Sequence, residues 1–496
     1  MIKKEYIWLG VIFAFVLGLR LYFAFQTPYF SEDAYFNIRQ VEHITKTGLP
    51  LFKDELSYGG RNFLFQPLFQ YILAFFNLFM PLTLVCKLIP NIFASSLVFI
   101  TYMIVLRLTK NKTAALFSSF ISGFIPIYFG STINSVSAYS FVIPLIFFII
   151  YFFFMIKKDE KYINYLILSI FLLALTNSSV VIFILAFIIY LLLVKFEHLP
   201  IRKQEVEIII FSSMLILWLN FIIYKNAFLL HGYHLVWQNI PSEILGKYFY
   251  QFSIIDAVYY IGVIPILLGF IVIYRYTFKK KSRYVYFLMG FALSSLFLLW
   301  FKLIQIDTGL MFLGVILVLL FGKYYPELTS FIEKTRISRF KKAIIAFIFV
   351  IFLINSVLPS ITYASKVTQN LLSKTEMNAF LWLKENTEKD VVILGSLDEG
   401  YIINAVAERK NFFDRNFMLI ENTDQRLNEA KKIYTTSYET EAIPLLNKYN
   451  IKYIIISKKV MDDYGITDLN YKSDEKCFEV VYNQGTKIYK SLCRMD

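Results

Sequence analysis

A chain of 496 residues that is 57% hydrophobic, with 52 Phe and a mean hydropathy of +0.57, carries more apolar surface than the interior of a soluble globular protein hides. Its net charge of +14 would suit nucleic acid if it were spread evenly, but residues 1–360 hold 31 Lys and Arg against 16 Asp and Glu, while 361–496 hold 19 against 20. The basic excess follows the apolar segments, where short basic loops record orientation in a membrane, and a nucleic-acid role is excluded.

The first apolar run, 6–25, is long enough to cross ~30 Å of hydrocarbon as a helix. No small-residue cleavage site follows before Ser31, so it reads as a first span and not as a removable signal. Further apolar runs lie near 64–80, 84–106, 114–130, 138–156, 162–176, 179–194, 207–224, 254–276, 284–301, 308–322 and 342–360. The 64–80 run contains Gln66, Pro67 and Gln70 and ends at Pro81. If it lies in the outer interface without spanning, the loops on the side of Lys4 carry 22 Lys and Arg against 8 on the other side. They include Arg107, Lys110 and Lys112, and the cluster Arg275, Lys279, Lys280, Lys281 and Arg283. If it spans, the bias inverts. The positive-inside rule therefore selects about eleven spans with a cytoplasmic N-terminus.

This topology makes 1–360 a helical polytopic membrane domain with outer loops 26–83, 131–137 and 225–253. Residues 361–496 become an extracytoplasmic domain. Within it, helices near 374–386 and 399–408 precede strands at 391–395 and 411–413, and helices near 422–434 and 438–449 precede a strand at 452–457. This alternation predicts a small α/β domain with a mostly parallel sheet. The end of the chain, 477–482 and 487–492 around Asn483–Thr486, predicts a β-hairpin whose turn uses Gly485. Gly485 is midway between Cys477 and Cys493, so folding there sets the two cysteines opposite each other, at a spacing a disulfide accepts. An oxidising compartment outside the membrane would preserve the bond. Two separately buried thiols are the alternative.

The segment Ser31-Glu32-Asp33-Ala34-Tyr35-Phe36-Asn37-Ile38-Arg39 follows the first span directly. Carboxylates at a membrane boundary are costly unless solvated, paired or bound to a cation, and on the residues alone a solvated juxtamembrane loop fits as well as a site. The spacing of Asp33 and Arg39 is not that of a helical ion pair. His231 and His234 have ligand-like spacing, but no further His or Cys lies near them in sequence, and they read as loop residues. Arg20, near the end of the first span, reads as a snorkelling side chain.

The acidic start, the aromatic and Arg39, followed by Val41-Glu42-His43-Ile44, resemble the first outer loop of oligosaccharyltransferase catalytic subunits, which are polytopic GT-C glycosyltransferases. The resemblance continues through Asp54-Glu55-Leu56-Ser57-Tyr58-Gly59-Gly60, through Gln66-Pro67-Leu68-Phe69-Gln70-Tyr71 and to Ile125-Pro126-Ile127-Tyr128. It returns in Phe380-Leu381-Trp382-Leu383-Lys384-Glu385-Asn386-Thr387 and in the stretch leading through Asp398-Glu399-Gly400-Tyr401 to Asn411-Phe412-Phe413-Asp414. It implies a GT-C architecture and a membrane glycosyltransferase that takes a sugar or glycan from a polyprenyl-phosphate or -diphosphate donor. Asp33 would then be the catalytic base or the ligand of a divalent cation (Mg or Mn), with Glu32 beside it. Arg39, Glu243 and Asp398 would be substrate-side residues.

Two departures stand out. The family's second outer loop carries a pair of acids, where this chain has Asn134-Ser135-Val136-Ser137. Its tandem tryptophans correspond to Ser396-Leu397. The implied acceptor is therefore a lipid, a glycan or a protein without the asparagine sequon. The competing readings are a non-catalytic relative that binds lipid-linked glycan or partner proteins, and a transporter or flippase. Against the last, the chain shows no paired Gly/Pro-broken helices in matching halves and almost no ionisable residues at mid-membrane depth.

Overall fold

All twelve apolar runs fold as helices, which is how a chain satisfies its backbone polar groups without water. The computed structural model describes residues 4–249, 253–335, 338–472 and 476–493. Among these, seven helical stretches are long and apolar enough to cross a membrane: Lys4–Phe25, Leu82–Thr109, Ser178–Phe196, Lys203–Gly246, Arg283–Trp300, Ile306–Glu333 and Ala343–Asn386. The pair Ile255–Ile261 and Val263–Phe278 makes an eighth if taken as one span, bent by 101°. Gly262 stands at the bend with φ +103°, a conformation closed to side chains with a Cβ.

Length and composition thus do not reproduce the count of eleven. Tyr139–Met155 and Lys161–Ala174 are shorter than a full crossing. The 114–130 run breaks between Lys112–Gly123 and Pro126–Ser131, because Ile125 precedes a proline and is held extended. Leu68–Asn77, the disputed run, is a short helix of 10 residues.

The chain divides into two compact units. The first comprises 1–28, 66–223 and 248–370, and the second comprises 29–65, 224–247 and 371–496. In the first, Ile306–Glu333 is the most enclosed of the long helices. Arg20 does not snorkel. It is 1% exposed and donates from Nε to Asn91 Oδ1 at 3.0 Å and from Nη2 to Thr132, under the ring of Phe129. Lys87 is also buried, and its ammonium donates to the carbonyls of Ala24 and Thr27 and to Asn134 Oδ1. Two apolar helices can hold these cations because each finds several oxygen or π partners.

The second unit is α/β. Its strands are β1 (Lys53–Asp54), β2 (Arg61–Asn62), β3 (Val392–Leu394), β4 (Lys410–Asn411), β5 (Ile451–Ile456), β6 (Phe478–Gln484) and β7 (Thr486–Ser491). The five-stranded sheet has the order β4-β3-β5-β7-β6. Strands β4, β3 and β5 are parallel, whereas β7 pairs antiparallel with both β5 and β6, so the sheet is mixed and not mostly parallel. The cause is the C-terminal hairpin, which covers the open edge of β5. The strand and helix positions follow the sequence pattern closely, with Lys374–Asn386, Thr423–Thr435 and Glu439–Lys448 as the flanking helices. Helix Lys458–Tyr464 was not anticipated. Cys477 and Cys493 are disulfide-bonded, with 4.7 Å between their Cα atoms. The core of this unit is built from Leu394, Phe412, Tyr434, Leu446, Ile454 and Ile456.

Candidate active site

Helix Ala34–Thr47 has neither Gly nor Pro in its body and ends on Gly48, whose φ of +77° closes it with a left-handed turn. Ala34, Val41 and Ile44 are among its buried residues, and Gln40 ties Leu51 through both its amide oxygen and its nitrogen. Asp33 occupies the residue before the first helical position, but its carboxylate caps no backbone N–H. It stays 57% exposed and meets the Arg415 guanidinium, with Nη1 donating to Oδ2 at 2.8 Å.

Arg415 is the centre of an alternating chain of charges. Its Nε donates to Asp398 Oδ1 at 2.5 Å, and the other oxygen of Asp398 pairs with Lys459 Nζ at 2.7 Å. The fold explains the meeting. Asp398 follows β3, Arg415 follows β4 and Lys459 lies in the first turn of the helix after β5, and these three strands are parallel neighbours. Their carboxyl ends converge, which is where open α/β sheets place ligands. Burial works to raise the Asp398 carboxyl, but the charges and hydrogen bonds of Arg415 and Lys459 outweigh it and hold it down at about 2. Glu32 feels the same cluster: burial pushes its carboxyl up, against the pull of Arg415 and Lys459.

A second network fixes the strand end that carries Arg415. Asp414 is fully buried; it accepts from Ser57 Oγ at 2.6 Å and from the Asn416 amide at 3.0 Å, and its main-chain oxygen accepts from the Tyr58 hydroxyl at 2.8 Å. Asn411 accepts from the Tyr58 amide at 2.7 Å and donates to Asn404 at 2.7 Å. Arg61 donates to the carbonyls of Asn416 and Met418. The 54–62 loop, with its left-handed residues Tyr58, Gly59 and Gly60, is therefore clamped onto 411–418. Gly400 permits the close pass, because a Cβ there would lie 2.2 Å from the Phe413 carbonyl oxygen.

The structure thus brings Glu32, Asp33 and Asp398 into one charged cluster. It does not bring Arg39 there: Arg39 makes a two-pronged pair with Asp54, at 2.5 and 2.7 Å, that orders the loop start. Glu243 is exposed in the short helix Ser242–Tyr248, whose first amide donates to Asp424 at 3.2 Å. His231 accepts from the Leu419 amide at 3.1 Å, a structural bond. Sequence reasoning missed Arg415 and Lys459. Arg415 directly follows the quoted Asn411-Phe412-Phe413-Asp414, and Lys459 follows a predicted strand end, so each carried a positional signal.

For a divalent cation the donor set does not fit. The Asp33 carboxylate is matched with a guanidinium, and Asp398 is matched on both oxygens with cations. Among the described residues there is no group of three or more His, Cys, Asp or Glu side chains arranged to hold a metal.

No family model matches the sequence, and no curated protein matches it. Solved structures do match. The apo oligosaccharyltransferase of Archaeoglobus fulgidus superimposes with a TM-score of 0.69 at 14% identity, over 99% of this chain and 75% of that one. The same enzyme is also known with Zn and sulfate, and an AglB oligosaccharyltransferase from the same archaeon is known in complex with an inhibitory peptide and a dolichol-phosphate. ArnT from Cupriavidus metallidurans gives a TM-score of 0.58 at 10% identity over 99% of both chains, and is also known bound to undecaprenyl phosphate. The mycobacterial arabinofuranosyltransferase AftD gives 0.61 at 11% identity, over 98% of this chain and 40% of that one. All three are GT-C glycosyltransferases, and this multi-pass membrane protein has their fold.

Proposed function

We propose that the protein is a GT-C-type glycosyltransferase that moves a sugar or glycan from a polyprenyl-phosphate or -diphosphate donor to a lipid, glycan or non-sequon protein acceptor at the outer face of the membrane. The observation that carries this reading is the exposed Asp33 carboxylate beside Arg415, which Asp398 links to a second cation, Lys459, at the convergent ends of parallel strands. The neighbours' polyprenyl-phosphate ligands support the donor class.

In this reading the acceptor's hydroxyl or amide attacks the anomeric carbon. Its proton passes to Asp33, and the bond from the anomeric carbon to the phosphate oxygen breaks with the electron pair leaving on phosphate. Arg415 and Lys459 meet the charge that grows on that oxygen. Asp398 holds both cations in place, Glu32 tunes their field, and Arg39, fixed by Asp54, orders the loop under Asp33. Glu243 is placed on the substrate side by resemblance alone. No step runs through a metal.

One observation favours the second reading, a relative that binds lipid-linked glycan without transferring it: the stretch Asn134-Ser135-Val136-Ser137 holds no carboxylate. Deletion of the gene, followed by mass spectrometry of surface glycans and lipid-linked sugars, separates the two. A glycan short of one unit, or an accumulated lipid-linked precursor, is expected of a transferase. Unchanged glycans and precursors would reject transfer.

A further inference from the structure

We propose that Arg415 occupies the place of a divalent cation beside Asp33, so that this site carries a built-in guanidinium and excludes a metal ion.

The geometry is specific. One guanidinium bridges two carboxylates, through Nη1 to Asp33 and through Nε to Asp398, and Lys459 completes the charge balance on the far oxygen of Asp398. Asp33 and Asp398 balance Arg415 and Lys459, and burial pushes the neighbouring Glu32 carboxyl toward its neutral form. A hard cation wants several anionic oxygens around it, and a doubly charged ion entering at Asp33 would sit within a few ångströms of the Arg415 charge. It could bind only by displacing Arg415, which would leave Asp398 with one partner.

Arg415 is also held from behind. Asp414, its immediate neighbour, is buried and anchored by Ser57 and Asn416, and the Tyr58 hydroxyl bonds the Asp414 carbonyl, so the strand end cannot swing away without breaking that network. The sequence agrees independently. A cation centred on Asp33 needs a second carboxylate from elsewhere in the chain, and the stretch where the resemblance locates one is Asn134-Ser135-Val136-Ser137. A guanidinium supplies a permanent charge with directional donors and needs no further ligands.

That Arg415 also meets a donor phosphate rests on the glycosyltransferase reading; the exclusion of metal does not, and the test uses binding alone. The full-length protein, purified in detergent and treated with chelator, is titrated with Mn²⁺, and bound ion is read by electron paramagnetic resonance. The wild type and Asp33→Asn are expected to bind Mn²⁺ equally weakly, without a stoichiometric site. Arg415→Ala is expected to bind roughly tenfold more tightly than the wild type, and the gain should vanish in Arg415→Ala combined with Asp33→Asn. One tightly bound Mn²⁺ per wild-type chain that is lost in Asp33→Asn overturns the proposal. So does an Arg415→Ala protein that folds and binds no better than the wild type. If Arg415→Ala does not fold, the comparison of wild type with Asp33→Asn still decides. A protein that excludes Mn²⁺ yet shows no glycan phenotype on deletion would sink the transferase reading and leave this one standing.

Discussion

Asp33 and Arg415 are separated by 382 positions in the chain and meet at 2.8 Å. Neither side chain explains itself alone. Asp33 is a juxtamembrane acid that caps nothing, and Arg415 is a cation in the loop after the two-residue strand Lys410–Asn411. Together with Asp398 and Lys459 they make a strongly polarised patch, which suits a site where one charge is taken up and another is released.

The first prediction concerns Asp33→Asn. It keeps the size of the side chain and removes its charge, so proton acceptance is lost and the glycan phenotype of the deletion strain should not be rescued. Because Asp33 is 57% exposed, its ion pair contributes little to stability, and expression and the unfolding midpoint should stay near those of the wild type. Ser135→Ala should rescue fully, since a hydroxyl substitutes poorly for a carboxylate. Full rescue by Asp33→Asn would remove Asp33 from catalysis.

Glu399 gives the second prediction. It is 3% exposed and accepts from the Ser396 amide at 2.7 Å, and burial pushes its carboxyl up to about 7. A raised carboxyl binds its proton more tightly in the folded state, so this group's contribution is fully present below about 4.5 and is lost as pH rises through about 7. The loss is roughly 3 kcal/mol over that window. Glu399→Gln stays neutral throughout, so the unfolding midpoint of the wild type should fall relative to that variant between pH 5 and 8. Parallel pH profiles would show that Glu399 does not titrate in this range.

Gly400→Ala is the third. Its new Cβ would lie 2.2 Å from the Phe413 carbonyl oxygen and 2.7 Å from Asp414 Cβ, and backbone cannot step aside as a flexible side chain can. The strand end carrying Arg415 must move, at a cost of roughly 1–3 kcal/mol or more. Both the unfolding midpoint and the rescue of the deletion strain should drop. An unchanged midpoint would mean that the 413–415 segment is not locked against Gly400.

Much of this was legible in the chain. Strand–helix alternation after 390 gave each core strand of the second unit to within a few residues, because short apolar runs flanked by polar helices leave little choice. The sheet's mixed character was harder to see, since a hairpin can dock on any open edge. Asp33, Glu32 and Asp398 could be named from resemblance, but Arg415 and Lys459 could not be named from periodicity. Their meaning lies in three strand ends converging, which sequence spacing does not encode. Arg20 misled in the other direction, and Lys87 drew no notice. Their buried states depend on Asn91, Thr132 and Asn134, which come from separate helices and turns.

The fourth prediction is topological. The charge bias places 225–253 outside and the loops around Thr277 and Ser338 inside. Ser242, Thr277 and Ser338 are all exposed, so cysteines there should meet reagent wherever solvent reaches them. Background is low, because Cys86 is buried and Cys477 and Cys493 are bonded to each other. A membrane-impermeant thiol reagent should label Ser242→Cys in intact cells, and Thr277→Cys and Ser338→Cys only after lysis. The reverse pattern would invert the protein in the membrane.

The disulfide supplies the last. Strands β6 and β7 pair in register from Gln484 with Thr486 down to Phe478 with Ser491, with an irregularity between Val480 and Tyr482. The Leu492 amide then donates to the Cys477 carbonyl at 2.9 Å, so the ladder delivers the two cysteines to one end of the hairpin. The bond closes a loop of 16 positions, for which the chain-entropy account gives roughly 3 kcal/mol. The hairpin is the edge of the sheet next to β5, so opening it exposes that strand. Digestion of non-reduced protein, with free thiols trapped at lysis, should yield a peptide pair joined through Cys477 and Cys493. Cys477→Ser together with Cys493→Ser should lower the unfolding midpoint, with β5 losing hydrogen-exchange protection before β3 and β4 do. Recovery of both cysteines as trapped free thiols from native membranes would refute the bond in the cell, and with it one reason for placing this unit in an oxidising compartment.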